Sequence, residues 1–334
     1  MFDNEMTYMK DKNIFLLSVE RFTWESCDGR DEDLFQVLCI IQIHNIDSFV
    51  VENILNKQSN FNKVGIIGIP ISHSLSPLIH NYWLKLYNIN TKYVSFEVNE
   101  NEINKFIKKV KTENFRGFNV TIPYKEKIIS YLDDIEAEAK KIGAVNTVII
   151  SSSGRLLGKN TDGYGFLENL RSYEKNFVFS SSPVLILGAG GAARSICFAL
   201  KSKGCKNIRI LSRRISQAQG LSRDLGNCAK SYDFKDQKKA LLNISLFVNT
   251  TPMGMKNFPW QGIDLSNIPK DSLVYDIVYK PRDTHLIKFA KANGNKYIEG
   301  IGMLLYQAIP CFEWWFGQKP VVDESLEKII SVKL

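Results

Sequence analysis

The chain has 334 residues, of which 44% are hydrophobic and 23% are charged. At about 150 residues per domain this length predicts two domains, and the apolar content excludes an intrinsically disordered protein. The formal net charge is +8, but residues 1–60 carry a balance of −6 and residues 61–334 a balance of +14, so the composition changes near residue 60.

The sequence lacks the signals of a membrane, secreted or metal-binding protein. Its longest apolar stretch, Val37 to Ile43, is interrupted by Gln42 and is far shorter than the roughly 20 residues of a spanning helix. The acidic start at Met1 to Glu5 is unlike a secretory signal, which predicts a cytoplasmic protein. The six cysteines and four histidines show neither CxxC nor HExxH spacing, so we expect no disulfide framework and no metal site.

The positive charge of residues 61–334 lies on scattered lysines such as Lys108, Lys140 and Lys238. These lysines have no interleaved aromatic residues and belong to no nucleic-acid module, so we expect no nucleic-acid partner. Their positive electrostatic field can raise the local concentration of a small anionic ligand.

From residue 62, short apolar runs alternate with helical stretches, a pattern that predicts a parallel sheet with crossover helices. The predicted elements are a strand over 63–69, a helix over 76–87, a strand over 92–98, a helix over 102–111, a strand over 115–121 and a helix over 133–141. Two more strands, 145–150 and 155–159, are separated by Ser-Ser-Ser-Gly and predict a hairpin that ends the first domain.

A second α/β unit begins after the Ser/Pro loop at 180–183. A buried strand over 184–187 leads into a glycine-rich loop, Gly188-Ala189-Gly190-Gly191-Ala192-Ala193, and then into a helix that stops at Gly204; the next strand covers 207–211. GxGxxA between a strand and a helix is typical of a dinucleotide site, with a plain tight turn as the alternative. Gly188 permits the turn, Gly190 lets the backbone approach a pyrophosphate, and Ala193 allows helix and strand to pack closely.

The residues after the strand over 207–211 indicate which nucleotide binds. An NAD site usually has Asp or Glu there, whereas this chain has Ser212-Arg213-Arg214. Two guanidinium groups and a hydroxyl suit a 2'-phosphate, because Arg can donate two hydrogen bonds to phosphate. Solvated loop arginines are the alternative interpretation, but the missing carboxylate favours NADP over NAD.

Three strings in the first half contain polar residues that a core does not require. They are Ser72–Pro77, Asn119–Lys125 and Asn160–Gly163. An N-cap at Ser76 before Pro77 explains only one serine of the first string. In the second, Asn119 and Thr121 lie on the same side of a strand end, with Lys125 just beyond. In the third, Asp162 lies at the junction of the two halves, where an Asx-turn is the alternative. A cleft between domains is the usual place for a ligand.

Eight strings, in order from about Lys63 to near the C-terminus, resemble the shikimate dehydrogenase family. They are GIPISHSLSP (68–77), NVTIPYK (119–125), GAVNT (143–147), NTDG (160–163), GAGGAA (188–193), NTTPMGM (249–255), DIVYKP (276–281) and GIGMLLYQA (300–308). The resemblance implies an α/β fold with two domains and an active-site cleft between them. Residues 62–162 with 300–334 would form the substrate-binding and catalytic domain, and residues 163–299 a Rossmann-like NADP-binding domain. Residues 1–61 lie outside the resemblance, as an N-terminal extension.

The resemblance also implies a role for each matching residue. Lys125 and Asp162 would be the catalytic pair. The substrate would contact seven side chains: Ser74 and Ser76 at its carboxylate, Thr121, Asn146 and Gln307 at its ring hydroxyls, and Asn119 and Tyr279 in the pocket wall. NADP would be held by Gly188, Ala189, Gly190, Gly191, Ala192 and Ala193 at the pyrophosphate, by Ser212, Arg213 and Arg214 at the 2'-phosphate, and by Thr250, Met253, Ile277, Gly300 and Met303 at the nicotinamide end.

The implied activity is the reversible, NADP-dependent reduction of 3-dehydroshikimate to shikimate in the shikimate pathway, with these two small molecules as partners. One alternative is a quinate/shikimate dehydrogenase that prefers NAD; another is a non-catalytic relative that binds a metabolite. The chain departs from the family's usual Asn-Arg-Thr at Ser212-Arg213-Arg214 and has Gln217 where a second arginine is common. A homodimer is left open.

Overall fold

The computed structural model describes residues 6–9, 14–17, 63–180 and 182–334 of the chain. The chain divides into two compact units, Met1–Asn60 and Phe61–Leu334. In the first unit, β1 (Met6–Met9) pairs in antiparallel orientation with β2 (Ile14–Leu17). The elements that follow belong to the second unit.

The first sheet of this unit has six strands in the order β4-β3-β5-β7-β8-β6. Its elements along the chain are β3 (Lys63–Gly68), α1 (Ser76–Leu86), β4 (Lys92–Glu97), α2 (Ile103–Thr112), β5 (Phe115–Val120), β6 (Asp134–Ile135), α3 (Ala137–Ile142), β7 (Thr147–Ile150) and β8 (Leu156–Lys159). β3 pairs in parallel with β4 and β5, whereas β7 runs antiparallel to β5 and β8. The hairpin predicted over 145–159 is therefore present.

Local chemistry accounts for several of these bounds. Pro77 lies in the first turn of α1, where its missing N–H is not needed. α3 ends at Gly143, whose φ of +71° is a left-handed conformation that glycine adopts without strain. Every residue of β7 is buried, as expected for a central strand that is covered on both faces.

The helix predicted over 133–141 is wrong in its first half. Asp134–Ile135 forms β6, which pairs in parallel with Leu157 and Gly158 of β8, and the helix begins only at Ala137. The Leu156 N–H donates to the Asp133 carboxylate at 2.7 Å, which holds this segment against the sheet edge. Tertiary pairing thus overrides the helical propensity of the sequence.

The second sheet is parallel throughout and has six strands in the order β11-β10-β9-β12-β13-β14. Its elements are β9 (Val184–Leu187), α5 (Gly191–Ser202), β10 (Ile208–Leu211), α6 (Ile215–Leu225), β11 (Ala229–Tyr232), α7 (Gln237–Leu241), β12 (Leu246–Asn249), β13 (Leu273–Asp276), α8 (His285–Asn293) and β14 (Tyr297–Ile298). The chain moves outward from β9 to β11 and then returns to β12, so the strand order reverses beside β9. Ligands of such sheets bind at the carboxyl ends of the strands at this reversal.

Three helices join and complete the sheets: α4 (Asp162–Tyr173) leads from the first to the second, and α9 (Ile301–Phe316) and α10 (Glu324–Ser331) follow β14. α9 returns to the first sheet, where the buried Trp315 indole N–H donates to the Val148 carbonyl at 3.2 Å. The Phe312 ring lies 5.6 Å from that of Trp83 on α1. No helix in the described part of the chain is long and apolar enough to cross a membrane.

Candidate active site

Lys125 and Asp162 form an ion pair between Nζ and Oδ2. The lysine lies in the loop after β5, and the aspartate is the first residue of α4, where the helix dipole favours a negative charge. Their side chains are only 15% and 5% exposed, which separates them from an ordinary surface pair. The Asp162 N–H also donates to Asn160 Oδ1 at 3.0 Å, so the Asx-turn exists and leaves the Asp162 carboxylate free for Lys125.

The second oxygen of Asp162 is held by Asn146. Asn146 Nδ2 lies 2.8 Å from Asp162 Oδ1 and 3.3 Å from Gln307 Oε1. Asn146 Oδ1 in turn accepts from the Thr161 N–H at 2.9 Å, which fixes the orientation of the amide. The structure therefore brings Asn146, Asp162 and Gln307, predicted from three separate strings, into one buried cluster.

Asn119 continues this cluster toward α1. Its Nδ2 donates to the Asn146 carbonyl at 3.1 Å, and its Oδ1 accepts from the Tyr93 hydroxyl at 2.7 Å. Tyr93 also hydrogen-bonds Ser76, and burial raises the pKa of its phenol well above the usual range. Because Tyr93 is 2% exposed, it links Ser76 to Asn119 from inside the core.

The serines at the start of α1 lie at the other end of the cluster. Ser76 is the first residue of the helix and follows the N-cap residue Leu75, so the N-cap interpretation of Ser76 is wrong. Its backbone N–H donates to Ser74 Oγ at 3.3 Å. Ser74 and the Leu75 backbone hydrogen-bond the hydroxyl of Tyr279, a residue from the loop after β13, and burial raises the pKa of this tyrosine. The loop after β13 thus reaches the serines beside the first sheet.

The glycine-rich loop at the end of β9 has the shape of a pyrophosphate cradle. Gly188 adopts a φ of +116°, and a Cβ there would lie 2.6 Å from Thr250 Oγ1, so only glycine fits. At Gly190, by contrast, a Cβ would meet no atom within 4 Å, which leaves open space against the backbone. α5 begins at the next residue without a side-chain cap, so its first N–H groups are available to an anion. The residues present therefore fit a dinucleotide.

Gly191 brings this loop against Lys125. A Cβ at Gly191 would lie 2.9 Å from Lys125 Cβ and 3.4 Å from its Cδ. The ion pair therefore lies beside the start of α5, within reach of a ligand that occupies the cradle.

The three residues after β10 present a basic, acid-free surface. Ser212 is buried, and its Oγ accepts from the Arg214 N–H at 3.2 Å. Arg213 and Arg214 are exposed, and neither forms an ion pair with the described residues. Two uncommitted guanidinium groups at this position suit the 2'-phosphate of NADP better than the 2'-hydroxyl of NAD.

Of the five residues predicted at the nicotinamide end, Thr250, Met253, Ile277 and Gly300 lie on loops that follow β12, β13 and β14, and Met303 lies in the first turn of α9. Thr250 donates through Oγ1 to the Leu187 carbonyl at 2.7 Å, beside the glycine-rich loop. A Cβ at Gly300 would lie 2.3 Å from the Ile277 carbonyl oxygen, so these two backbones touch. Met303 packs in the same core cluster that Ile277 borders, whereas Met253 packs in a second cluster on the other side of the sheet.

Sequence reasoning missed several members of the buried cluster. Thr147 and Thr161 place their hydroxyls 3.0 Å and 3.5 Å from the thiol of Cys311, and Tyr93 bridges two predicted residues. Both threonines lie inside strings that the sequence singled out, next to Asn146 and Asp162, which is the signal that could have found them. Tyr93 and Cys311 belong to an ordinary strand and helix and gave no such signal. The side chain of Thr121, a predicted substrate residue, takes no part in this network among residues 63–180 and 182–334, and it is half-buried at the end of β5.

Two family models match the chain. The model described as shikimate dehydrogenase substrate binding domain matches residues 66–148, and the one described as shikimate/quinate 5-dehydrogenase matches residues 172–285. A curated relative, the shikimate dehydrogenase (NADP(+)) of Paramagnetospirillum magneticum, is 40% identical over 266 residues, which are 80% of this chain and 96% of the relative.

Solved structures with the same fold bind both cofactors. A shikimate dehydrogenase in complex with NADP+ superposes with a TM-score of 0.74 at 33% identity, over 82% of this chain and 96% of its own. The Thermus thermophilus shikimate 5-dehydrogenase, in complex with NADP(H) and shikimate, gives 0.70 at 32% identity, over 82% and 100%. The quinate dehydrogenase of Corynebacterium glutamicum, in complex with NAD, gives 0.73 at 28% identity, over 81% and 99%.

Proposed function

The chain belongs to the shikimate dehydrogenase family, and on this basis we propose that it catalyses the reversible reduction of 3-dehydroshikimate to shikimate with NADP. It is an NADP-dependent oxidoreductase of the shikimate pathway, which leads to chorismate and the aromatic amino acids. The observation that carries the proposal is the nearly buried Lys125–Asp162 pair, in contact with the start of α5.

Bound NADPH would supply the hydride for reduction, and NADP+ would accept it in the reverse direction. As the carbonyl of 3-dehydroshikimate is reduced, its oxygen gains negative charge and needs a proton, which Lys125 Nζ would donate. In the reverse direction Lys125 would accept the proton from the hydroxyl. Asp162 holds the ammonium through Oδ2, while Asn146 occupies Oδ1, so the carboxylate orients Lys125 instead of turning away. An acid fixed in this way adds little reorganisation cost in the transition state.

The substrate would lie between the two ends of the polar cluster. Ser74 and Ser76 would offer hydroxyl donors to its carboxylate at the N-terminus of α1, where the helix dipole favours an anion. Thr121, Asn146 and Gln307 would contact the ring hydroxyls, and Asn119 and Tyr279 would form the wall. The fixed amides of Asn146 and Asn119 support this assignment, because their orientation is set before a ligand arrives.

The predicted domain boundaries follow from the same proposal. Residues 62–162 with 300–334 would act as the substrate-binding and catalytic domain and residues 163–299 as the NADP-binding domain. The match of the substrate binding domain model to residues 66–148 supports this division. A homodimer and a cytoplasmic location stay predictions.

The test is an oxidation assay on the purified full-length protein, followed by the absorbance of the reduced cofactor. We expect shikimate with NADP+ to give the highest kcat/KM of the four combinations of shikimate or quinate with NADP+ or NAD+. A highest value with quinate and NAD+ would instead support the quinate dehydrogenase alternative, which the structural likeness to the Corynebacterium glutamicum enzyme keeps open. No turnover with any combination would support a non-catalytic metabolite-binding relative, which the intact Lys125–Asp162 pair argues against.

A further inference from the structure

Asp276 is a fully buried carboxylate at the carboxyl end of β13, and the assigned roles do not use it. Its Oδ1 accepts from Asn249 Nδ2 at 2.9 Å and from the Val278 N–H at 3.0 Å, and its Oδ2 accepts from the Thr284 hydroxyl at 2.7 Å. All three donors are neutral. Because no cation among the described residues compensates its charge, burial raises the pKa of this carboxyl to about 7.

A buried carboxylate with no cation beside it lowers the stability of the fold. The reason for its presence therefore lies in what its hydrogen bonds connect. The donors of Asp276 belong to three different segments. Asn249 ends β12 and also donates to the Met253 carbonyl at 3.0 Å, which closes the loop 250–255. Thr284 caps α8 by accepting from the Ile287 N–H at 3.1 Å. Asp276 therefore ties the loop after β12 to the loop after β13 and to the start of α8.

These two loops carry residues assigned to both ligands. Met253 and Ile277 lie at the nicotinamide end, and Tyr279, one residue beyond the Val278 N–H that Asp276 binds, contacts Ser74 at the carboxylate end. A Cβ on Gly254 would lie 3.8 Å from Asp276 Oδ2, so the loop 250–255 passes directly over the carboxylate. A change at Asp276 would thus move both walls of the site although the side chain itself reaches neither ligand.

We propose that Asp276 is a positioning residue for the reaction: its carboxylate fixes the loops 250–255 and 277–284 against each other, and so places the surface that receives the nicotinamide and the hydroxyl of Tyr279. The kinetic measurements below rest on the proposed function, because they require turnover of shikimate. The measurement of NADP+ affinity does not require turnover. Only a carboxylate supplies acceptors on both oxygens, because an amide would present N–H groups to the Thr284 hydroxyl.

The experiment compares Asp276→Asn with Asp283→Asn in the full-length protein. Asp283 is an exposed neighbour paired with Lys291, so its variant makes the same charge change outside the network. Calorimetry measures the dissociation constants of NADP+ and of 2'-phospho-ADP-ribose, which lacks the nicotinamide. In Asp276→Asn we expect the NADP+ value to rise about tenfold, equivalent to about 1.4 kcal/mol, and that of 2'-phospho-ADP-ribose to change by less than about twofold. Asp283→Asn should change neither.

The kinetic readout is the primary isotope effect on kcat with shikimate deuterated at the carbon that gives up hydride. We expect a larger isotope effect and a lower kcat in Asp276→Asn, because a displaced nicotinamide slows hydride transfer more than product release. A structural role alone would lower the melting temperature and the active fraction but leave the isotope effect and the NADP+ affinity unchanged. That result would overturn the proposal.

A second pair of variants covers the case in which Asp276→Asn does not fold. Thr284→Val removes one donor to the carboxylate, and Thr284→Ser keeps it. We expect the valine variant to weaken NADP+ but not 2'-phospho-ADP-ribose and the serine variant to match the parent; equal affinities in both variants would contradict the proposal. If the parent protein oxidises neither shikimate nor quinate, the proposed function fails, and the selective loss of NADP+ affinity still decides the role of Asp276.

Discussion

At the scale of single residues, Lys125 and Asp162 are the proposed catalytic pair. We expect Lys125→Ala and Asp162→Asn each to lower kcat by about 10²-fold to 10⁴-fold, with a smaller change in the KM for shikimate, because proton transfer contributes mainly in the transition state. Steady-state kinetics with NADP+ measures both constants. Lys127→Ala is the matched control, since this lysine is exposed and pairs with Glu100 on the surface. A kcat close to that of the parent in either variant would remove that residue from the catalytic pair.

Arg213 is expected to decide cofactor preference. Arg213→Ala should raise the dissociation constant of NADP+ about tenfold to a hundredfold, since a hydrogen bond to a charged group contributes about 1.5–3 kcal/mol, and leave that of NAD+ unchanged. Fluorescence titration with both cofactors measures the difference, and Arg223→Ala, an exposed arginine at the far end of α6, is the control. Equal weakening of both cofactors would mean that Arg213 supports the fold, and Arg214→Ala would then be the variant to measure.

The buried carboxyl of Asp276 makes stability depend on pH. Folding raises its pKa from 3.8 to about 7, so the folded protein holds this proton more tightly than the unfolded chain does. Its contribution to stability is fully present below about pH 4 and is lost as pH rises through about 7. As pH rises from about 4 to above 7, the free energy of unfolding of the parent should therefore fall relative to that of Asp276→Asn, by up to about 4 kcal/mol. Urea unfolding at about pH 5 and about pH 8 tests this, and a pH-independent difference between the two proteins would contradict it.

Polar residues that are unusual for a loop could be predicted as site residues from the sequence. The residues that fix their side chains in position could not. Lys125 and Asp162 lie in polar strings that no core requires, and Asn146 is predicted from the family resemblance of the string at 143–147. Tyr93 has the alternation of an ordinary strand residue, and its link to Asn119 exists only because β4 and β5 both flank β3. The role of Asp276 depends likewise on which loops meet over β13, which no local pattern encodes.

At the scale of elements, periodicity predicts strands and helices where the local pattern and the tertiary structure agree. β3, α1, β5 and β9 all lie within two residues of their predicted bounds. α5 ends as predicted but begins three residues earlier, at Gly191 inside the glycine-rich loop. The segment 133–141 fails because β6 forms only when β8 is in place beside it. A pairing of two residues is too short to leave a pattern of its own in the sequence.

Asp162 at the start of α4 and Gln307 on α9 lie close together because these two helices cross. The close approach of the helices depends on Gly165. A Cβ at Gly165 would lie 2.6 Å from the Met303 carbonyl oxygen and 2.8 Å from the Gln307 backbone nitrogen. We expect Gly165→Ala to reduce the free energy of unfolding by about 2 kcal/mol or more and to raise the KM for shikimate, because the two helices must separate. Urea unfolding and steady-state kinetics measure the two effects.

Gly220→Ala is the control for this prediction. Gly220 lies inside α6. The atom nearest to a Cβ added at Gly220 would be at the end of the Arg223 side chain, 3.8 Å away. Alanine there should increase stability by about 0.5–1 kcal/mol through its higher helix propensity. If both variants changed stability alike, close packing between α4 and α9 would not be the reason for glycine at position 165.

At the scale of the whole molecule, residues 1–60 are expected to be dispensable for catalysis. The curated relative from Paramagnetospirillum magneticum matches over 96% of its own length while covering 80% of this chain, and every residue with a proposed role lies after residue 61. Removal of residues 1–60 should leave kcat/KM for shikimate within about twofold of the parent. The contrast in charge, −6 against +14, marks the same boundary. A truncated protein that is folded, as judged by circular dichroism, but inactive would show that this segment contributes to the active site.

The ribosome makes this chain from residue 1 onward, but the first sheet receives its last core residues from α9. Until Phe312 and Trp315 have been synthesised, Trp83 on α1 and the face of β7 at Val148 lack their apolar cover. The strands of the second sheet all lie between Val184 and Ile298, and α9 gives its core cluster Met303, which comes earlier in that helix than Phe312 and Trp315. The later half of the nascent chain can therefore become native before the earlier half, the reverse of the usual order of synthesis and folding. Chaperones that bind exposed apolar surface should remain on the earlier half until the C-terminal helices emerge.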